Sequence, residues 1–200
     1  MSRAVLISIR PEWCEKIADG EKTIEVRKTR PKLETPFIAY IYCTKNAKMQ
    51  FWTGPRYSYV DDHSHNAFDR CGNGKVIGEF VCDWIDTITY DGGWLACTTN
   101  TAFHPGSCLS RTQLVDYIGS RGRAYGWRIS NLKIYDHPKK LEDFMAVCRY
   151  KNDDGTCPSR KIACSFQRYD YNHDGSVNLV ECGNSVRRPP QSWQYVEELK

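Results

Sequence analysis

Gly20-Glu-Lys22-Thr23-Ile24-Glu25-Val26-Arg27-Lys28 decides how this chain is read, because its polar and apolar residues alternate directly after a glycine. A period of two is that of a strand, with Ile24 and Val26 on one face and Thr23, Glu25 and Arg27 on the other. We therefore expect a half-buried strand whose outer face is polar and charged. Residues two apart stand about 7 Å from one another, so a hydroxyl, a carboxylate and a guanidinium line up in a row. Lys22 sits at the mouth of that row. Glu25 would receive the hydrogen-bonding edge of a base, and Lys22 and Arg27 a phosphate or ribose. Lys22, Thr23, Glu25 and Arg27 are thus ligand-binding candidates, with Lys22 and Glu25 also candidates for catalytic acid and base. The competing reading is an exposed strand face whose Glu25–Arg27 pair contributes little.

Outward from this strand the pattern stays simple. Ala4 to Ile9 is a short run of branched apolar residues, read as a buried strand. Pro11 suits the first turn of a helix through Ile17, which Gly20 ends. Phe37 to Cys43 and Lys75 to Ile85 read as strands, the second entered through Cys71-Gly-Asn-Gly74, with a long loop over residues 46–72 between them. Ser110 N-caps a helix that buries Leu114, Val115 and Ile118 and stops at Gly119. Tyr125 to Tyr135 is a further strand, and residues 192–199 close the fold. Five to six strands with two to three flanking helices give an α+β domain, a small mixed β-barrel occupying residues 1–200 as one unit.

The composition sets bounds. With 40% apolar and 26% charged residues the chain has the make-up of a globular domain. A net charge of +4 is too mild for a protein that coats nucleic acid indiscriminately, yet it permits a local basic site. Arg27, Lys28, Arg30 and Lys32 form one concentration of cations, and Arg121, Arg123 and Arg128 another. No apolar run approaches the roughly 20 residues of a membrane helix, and the apolar stretch after Arg3 is too short for a signal peptide. We expect a cytoplasmic protein with no membrane partner, whose ten cysteines are reduced.

The stretches Leu6-Ile-Ser-Ile-Arg-Pro-Glu-Trp-Cys-Glu-Lys-Ile17 and Gly20 to Lys28 resemble the opening of ASCH domains, small barrels of the PUA-like superfamily. The resemblance continues at Gly74-Lys-Val-Ile-Gly-Glu-Phe80, at Ala124-Tyr-Gly-Trp-Arg-Ile-Ser130 and at Arg188-Pro-Pro-Gln-Ser-Trp193. It implies a PUA-like barrel whose polar cleft, on the Lys22–Arg27 strand, binds RNA or a modified nucleoside. Trp127 and Trp193 fall in family-like motifs and become candidates to stack on a base. An alternative is an enzyme of nucleic-acid chemistry, a ribonuclease or an amidohydrolase of N4-acetylcytidine. Lys22 matches the lysine of that amidohydrolase branch, but its nucleophilic threonine falls on Glu25. Thr23 does not replace it, because an odd step along a strand changes the face.

Residues 148–187 differ in character and read as an insertion before the closing strand. Asp170-Tyr-Asn172-His-Asp174-Gly175-Ser176-Val-Asn-Leu-Val-Glu181 fits the calcium-loop pattern at every position, with Phe166 and Tyr169 placed for an entering helix. Asp170, Asn172, Asp174, Ser176 and Glu181 are calcium candidates, which opens a further reading as a calcium-regulated interaction protein. Cys148, Cys157, Cys164 and Cys182 are zinc candidates, although their spacing contains no Cys-x-x-Cys. Calcium or zinc are thus the cofactors considered; no organic cofactor is expected.

Overall fold

In the computed structural model the described residues are 2–53, 70–98, 105–148, 167–171, 177–182 and 184–199. Among them are eleven strands: β1 Arg3–Ile9, β2 Ile24–Arg27, β3 Phe37–Cys43, β4 Val76–Cys82, β5 Ile85–Tyr90, β6 Leu95–Cys97, β7 Arg123–Arg128, β8 Ser130–Lys139, β9 Gln167–Tyr171, β10 Val177–Cys182 and β11 Trp193–Glu197. Two α-helices accompany them there, α1 Pro11–Ala18 and α2 Arg111–Ile118. The architecture is mixed α+β, as the sequence indicates. Nine strands form two sheets, ordered β11-β1-β3-β4-β8 and β2-β7-β5-β6, and β9 and β10 pair as a hairpin of their own. The two sheets do not close into a barrel.

The first strand, β1, explains the layering. Ala4 to Ile9 is buried at every position, which requires cover on both faces. Val5, Ile7 and Ile9 point into a core with Cys14, Ile17, Phe80 and Trp127, between the sheets and α1. Ala4 and Leu6 point the other way, onto Tyr40, Phe144 and Val196. β1 runs parallel to β3, and such a pairing needs a crossover, which α1 and β2 supply. α2 begins with a reciprocal cap: Gln113 N donates to Ser110 Oγ at 3.2 Å, and Ser110 N to Gln113 Oε1 at 2.9 Å. Leu114 and Ile118 then bury against Val26, Ile88 and Leu95 of the second sheet.

Two segments read as single strands are each divided between the sheets, which is why the strands outnumber the expectation. The apolar run from Lys75 breaks after Cys82, and the run from Tyr125 breaks after Arg128, where Asn131 adopts φ 48°. Asp83 holds both corners, since its Oδ2 accepts from Arg128 Nη2 and from Ser130 Oγ, each at 2.9 Å. The short β6 adds a strand that the sequence pattern does not announce. Among the described residues no helix is long and apolar enough to cross a membrane.

Candidate nucleic-acid cleft

α1 ends over Gly20, which takes the left-handed φ of 77° that glycine accepts without strain. The chain then turns so that Lys22 N donates to Lys16 O at 2.9 Å, and the Lys22 side chain swings under the sheet. Its ammonium is buried and fully engaged: Nζ donates to Ser107 O at 2.7 Å and to Ile24 O at 2.8 Å, and lies 3.3 Å from Glu25 Oε2. It also stands 5.2 Å from the centre of the Trp13 ring. Glu25 divides its carboxylate between two cations, because Oε1 lies 2.9 Å from Arg27 Nε. That contact is an ion pair outside hydrogen-bond alignment. Arg27 Nη2 donates in turn to the carbonyl of Ser8 on β1.

This arrangement corrects the expected outer face. Lys22, Glu25 and Arg27 are all buried, and a buried charge is tolerated only where partners replace the lost water. Here each charge has one. Thr23 does not join them: it is exposed, and its backbone is clipped by Thr23 N donating to Gly106 O and Ile129 N donating to Thr23 O.

Glu25 and Arg27 form part of the lining of a cleft of about 1380 Å³. Its walls come from the Arg10 end of β1, from α2 and from the Arg187–Ser192 segment, where Ser8 Oγ donates to Pro190 O at 2.6 Å. Nine cationic side chains line it, among them Arg10, Lys28, Arg121, Lys140 and Arg187, against two carboxylates, Glu25 and Glu142. Three aromatic residues share the lining: Trp13, Tyr42 and Tyr117. Burial raises the Tyr117 phenol above its ordinary range; Arg27 opposes and Glu25 reinforces that shift. Burial likewise raises Tyr42, helped by Cys43. Both phenols therefore stay protonated at neutral pH.

The tryptophans expected to stack on a base lie elsewhere. Trp127 is fully buried, with Phe37 at 5.8 Å and Trp193 at 6.0 Å between ring centres, so its faces belong to the core. Trp193 is half-buried, packs on Tyr195 at 5.4 Å and donates its indole N–H to Thr29 Oγ1 at 3.0 Å. Trp193 supports Thr29 at the cleft margin without lining the cleft itself. Trp13 and Tyr117, both partly exposed, line the cleft in their stead, whereas Tyr42 reaches its wall but is buried in the core with Tyr40, Val76 and Phe144; nothing in the local sequence separates Trp13 and Tyr117 from core aromatics.

Of the metal candidates, Cys148 is half-buried, whereas Cys157, Cys164, Asn172, Asp174 and Ser176 lie outside the described residues. For Asp170, Glu181 and Cys182 only the backbone is described. Asp170 pairs with Asn178, and Glu181 with Arg168, across the β9–β10 hairpin. The helix expected to enter the calcium loop at Tyr169 is thus a strand; Phe166 lies outside the described residues. Among the described residues no group of three or more metal-binding side chains converges.

No curated protein gives a significant match to this chain. Among solved structures, a tyrosine-to-phenylalanine mutant of ZmASCH from Zymomonas mobilis is 20% identical over 69% of this chain and 76% of its own, with a TM-score of 0.45. The crystal structure of ASCH from Zymomonas mobilis is 21% identical over 69% of this chain and 73% of its own, with a TM-score of 0.42. Residues 7–83, which contain the buried Lys22, Glu25 and Arg27, match the family model of the ASCH domain.

Proposed function

We propose that the cleft binds RNA, with Glu25 facing the edge of a base and the surrounding cations taking phosphates. The observation that carries this reading is the charge of the lining, nine cations against two carboxylates in a protein whose net charge is only +4. A neutral nucleoside has no use for so many cations, whereas each phosphate of a polynucleotide is an acceptor for one. Trp13 and Tyr117, both partly exposed, supply aromatic rings beside Glu25, and single-stranded RNA readers hold unstacked bases in this way. Arg27, fixed by Glu25 and Ser8, adds a planar cation that loses little freedom on binding. A modified nucleoside is the smaller version of the same ligand.

The cleft is not furnished for the hydrolysis of N4-acetylcytidine by a threonine nucleophile. A carboxylate holds the position of that hydroxyl, and Thr23 is exposed and does not line the cleft. The Lys22 ammonium is committed to structural partners, donating to two carbonyls and pairing with Glu25. We expect purified protein to return N4-acetylcytidine unchanged in a chromatographic assay. Turnover on the order of 1 per second would contradict this. The binding reading itself is tested by fluorescence anisotropy with a labelled single-stranded oligonucleotide at about 50 mM salt, where electrostatic contacts are strong. Saturable binding is expected; a flat titration would remove the reading.

A further inference from the structure

Trp94 is the most exposed large apolar side chain among the described residues, at 78%, and its backbone is pinned by hydrogen bonds. It follows Asp91-Gly92-Gly93 in the β5–β6 turn, where Asp91 Oδ1 accepts from Trp94 N at 2.9 Å and from Gly93 N at 3.3 Å. Asp91 N donates to Trp94 O across the same turn, and Arg111 Nη2 donates to Gly93 O at 3.1 Å. An indole set in a tight turn with its ring in solvent gains nothing for the core.

Strand register relates it to the cleft. Arg27 pairs with Tyr125 in β7 and Tyr125 with Thr87 in β5; two residues along, Arg123 pairs with Thr89 and Thr89 with Ala96. Paired residues share a sheet face, so Arg27, Tyr125, Arg123, Thr89 and Ala96 lie on one face, opposite the buried Val26, Ala124, Ile88 and Leu95. Trp94, two residues before Ala96, stands in the turn that leads into β6. Arg123, Thr89 and Ala96 are exposed there, and Arg121, which lines the cleft, is joined to the hairpin through Tyr90 N donating to Gly122 O at 2.8 Å. β6, which Trp94 leads into, lies two strand spacings, about 10 Å, from β7, and Arg111 reaches the turn at Gly93 O.

We infer that Trp94 is a stacking site for a base of a single-stranded RNA that leaves the cleft past Arg121. The inference rests on the RNA reading of the cleft and extends it to a ligand longer than the cleft alone would hold. The occupant is argued from charge: an exposed indole whose turn is held by Arg111, in a hairpin joined to the segment that carries the cleft residue Arg121, suits a base with its phosphates. It does not suit a cationic or purely apolar partner.

The test uses the full chain with two probes, a dinucleotide and an oligouridine of about eight nucleotides, the scale of a single-strand site. Trp94→Ala is expected to weaken the longer probe by about tenfold, the loss of one stacked base, and to leave the dinucleotide unchanged. Trp94→Phe should restore most of the affinity. Arg121→Glu, at an exposed position of the cleft, should weaken both probes. Equal melting temperatures of parent and variants exclude unfolding as the cause. If Trp94→Ala binds the longer probe like the parent while Arg121→Glu is weakened, the Trp94 inference falls and the cleft reading stands. If Trp94→Ala is weakened and Arg121→Glu is not, RNA reaches the indole by another route and the inference falls. If the parent binds neither probe, both fall.

Discussion

Glu25→Ala should melt about 10 °C below the parent protein, a loss expected from about 3–5 kcal/mol of destabilisation in a chain of this size. The carboxylate is what allows two cations to be buried side by side, with the Lys22, Glu25 and Arg27 side chains only 3%, 8% and 11% exposed. Without it Lys22 keeps two carbonyl acceptors, but Arg27 retains only Ser8 O. Two like charges then face each other in a poorly hydrated space, and that is the costly outcome when one partner of a buried pair is removed. Glu25→Gln should lose less, because the amide oxygen still accepts. Thermal unfolding followed by circular dichroism checks both variants. Melting of Glu25→Ala within a degree or two of the parent would mean that the three groups are hydrated and do not support one another.

The second large effect is electrostatic. Single-strand binding loses affinity with a slope of about 0.7 in log K per log salt for each phosphate neutralised, so four contacts would cost about 50-fold between 50 and 200 mM salt. Reversing charge at two exposed cleft residues, Arg121→Glu with Arg187→Glu, should flatten that slope by at least the two contacts removed. Affinity measured across a salt series in parent and double variant reads this directly. Parallel slopes would show that the phosphates lie elsewhere.

The strand that decides the fold was legible because its alternation and its preceding glycine are local features. Its burial was not. Lys22, Glu25 and Arg27 carry the residue types of a solvated face, and the groups that permit their burial, the carbonyls of Ser107 and Ser8, come from 85 residues ahead and 19 behind. The same limit explains the divided strands. Nothing in the apolar run after Lys75 marks the corner at Asp83, because Arg128 and Ser130, which hold it, belong to a later segment. The helix α2 was fully legible, since Ser110, Leu114, Ile118 and Gly119 act within one element. For the aromatic residues sequence offered only motif position, which pointed to Trp127 and Trp193 alike. Burial decides otherwise, since Trp127 closes the core while Trp13 and Tyr117 are carried to the cleft by the helices.

The central claim, that RNA occupies the cleft over the Lys22–Arg27 strand, is tested most directly by photocrosslinking a single-stranded RNA that carries 4-thiouridine and mapping the attachment sites by mass spectrometry. The account expects crosslinks on the peptides of Trp13, Tyr42 and Tyr117, suppressed by excess unlabelled RNA. Competed crosslinks found only on peptides that do not line the cleft would contradict it.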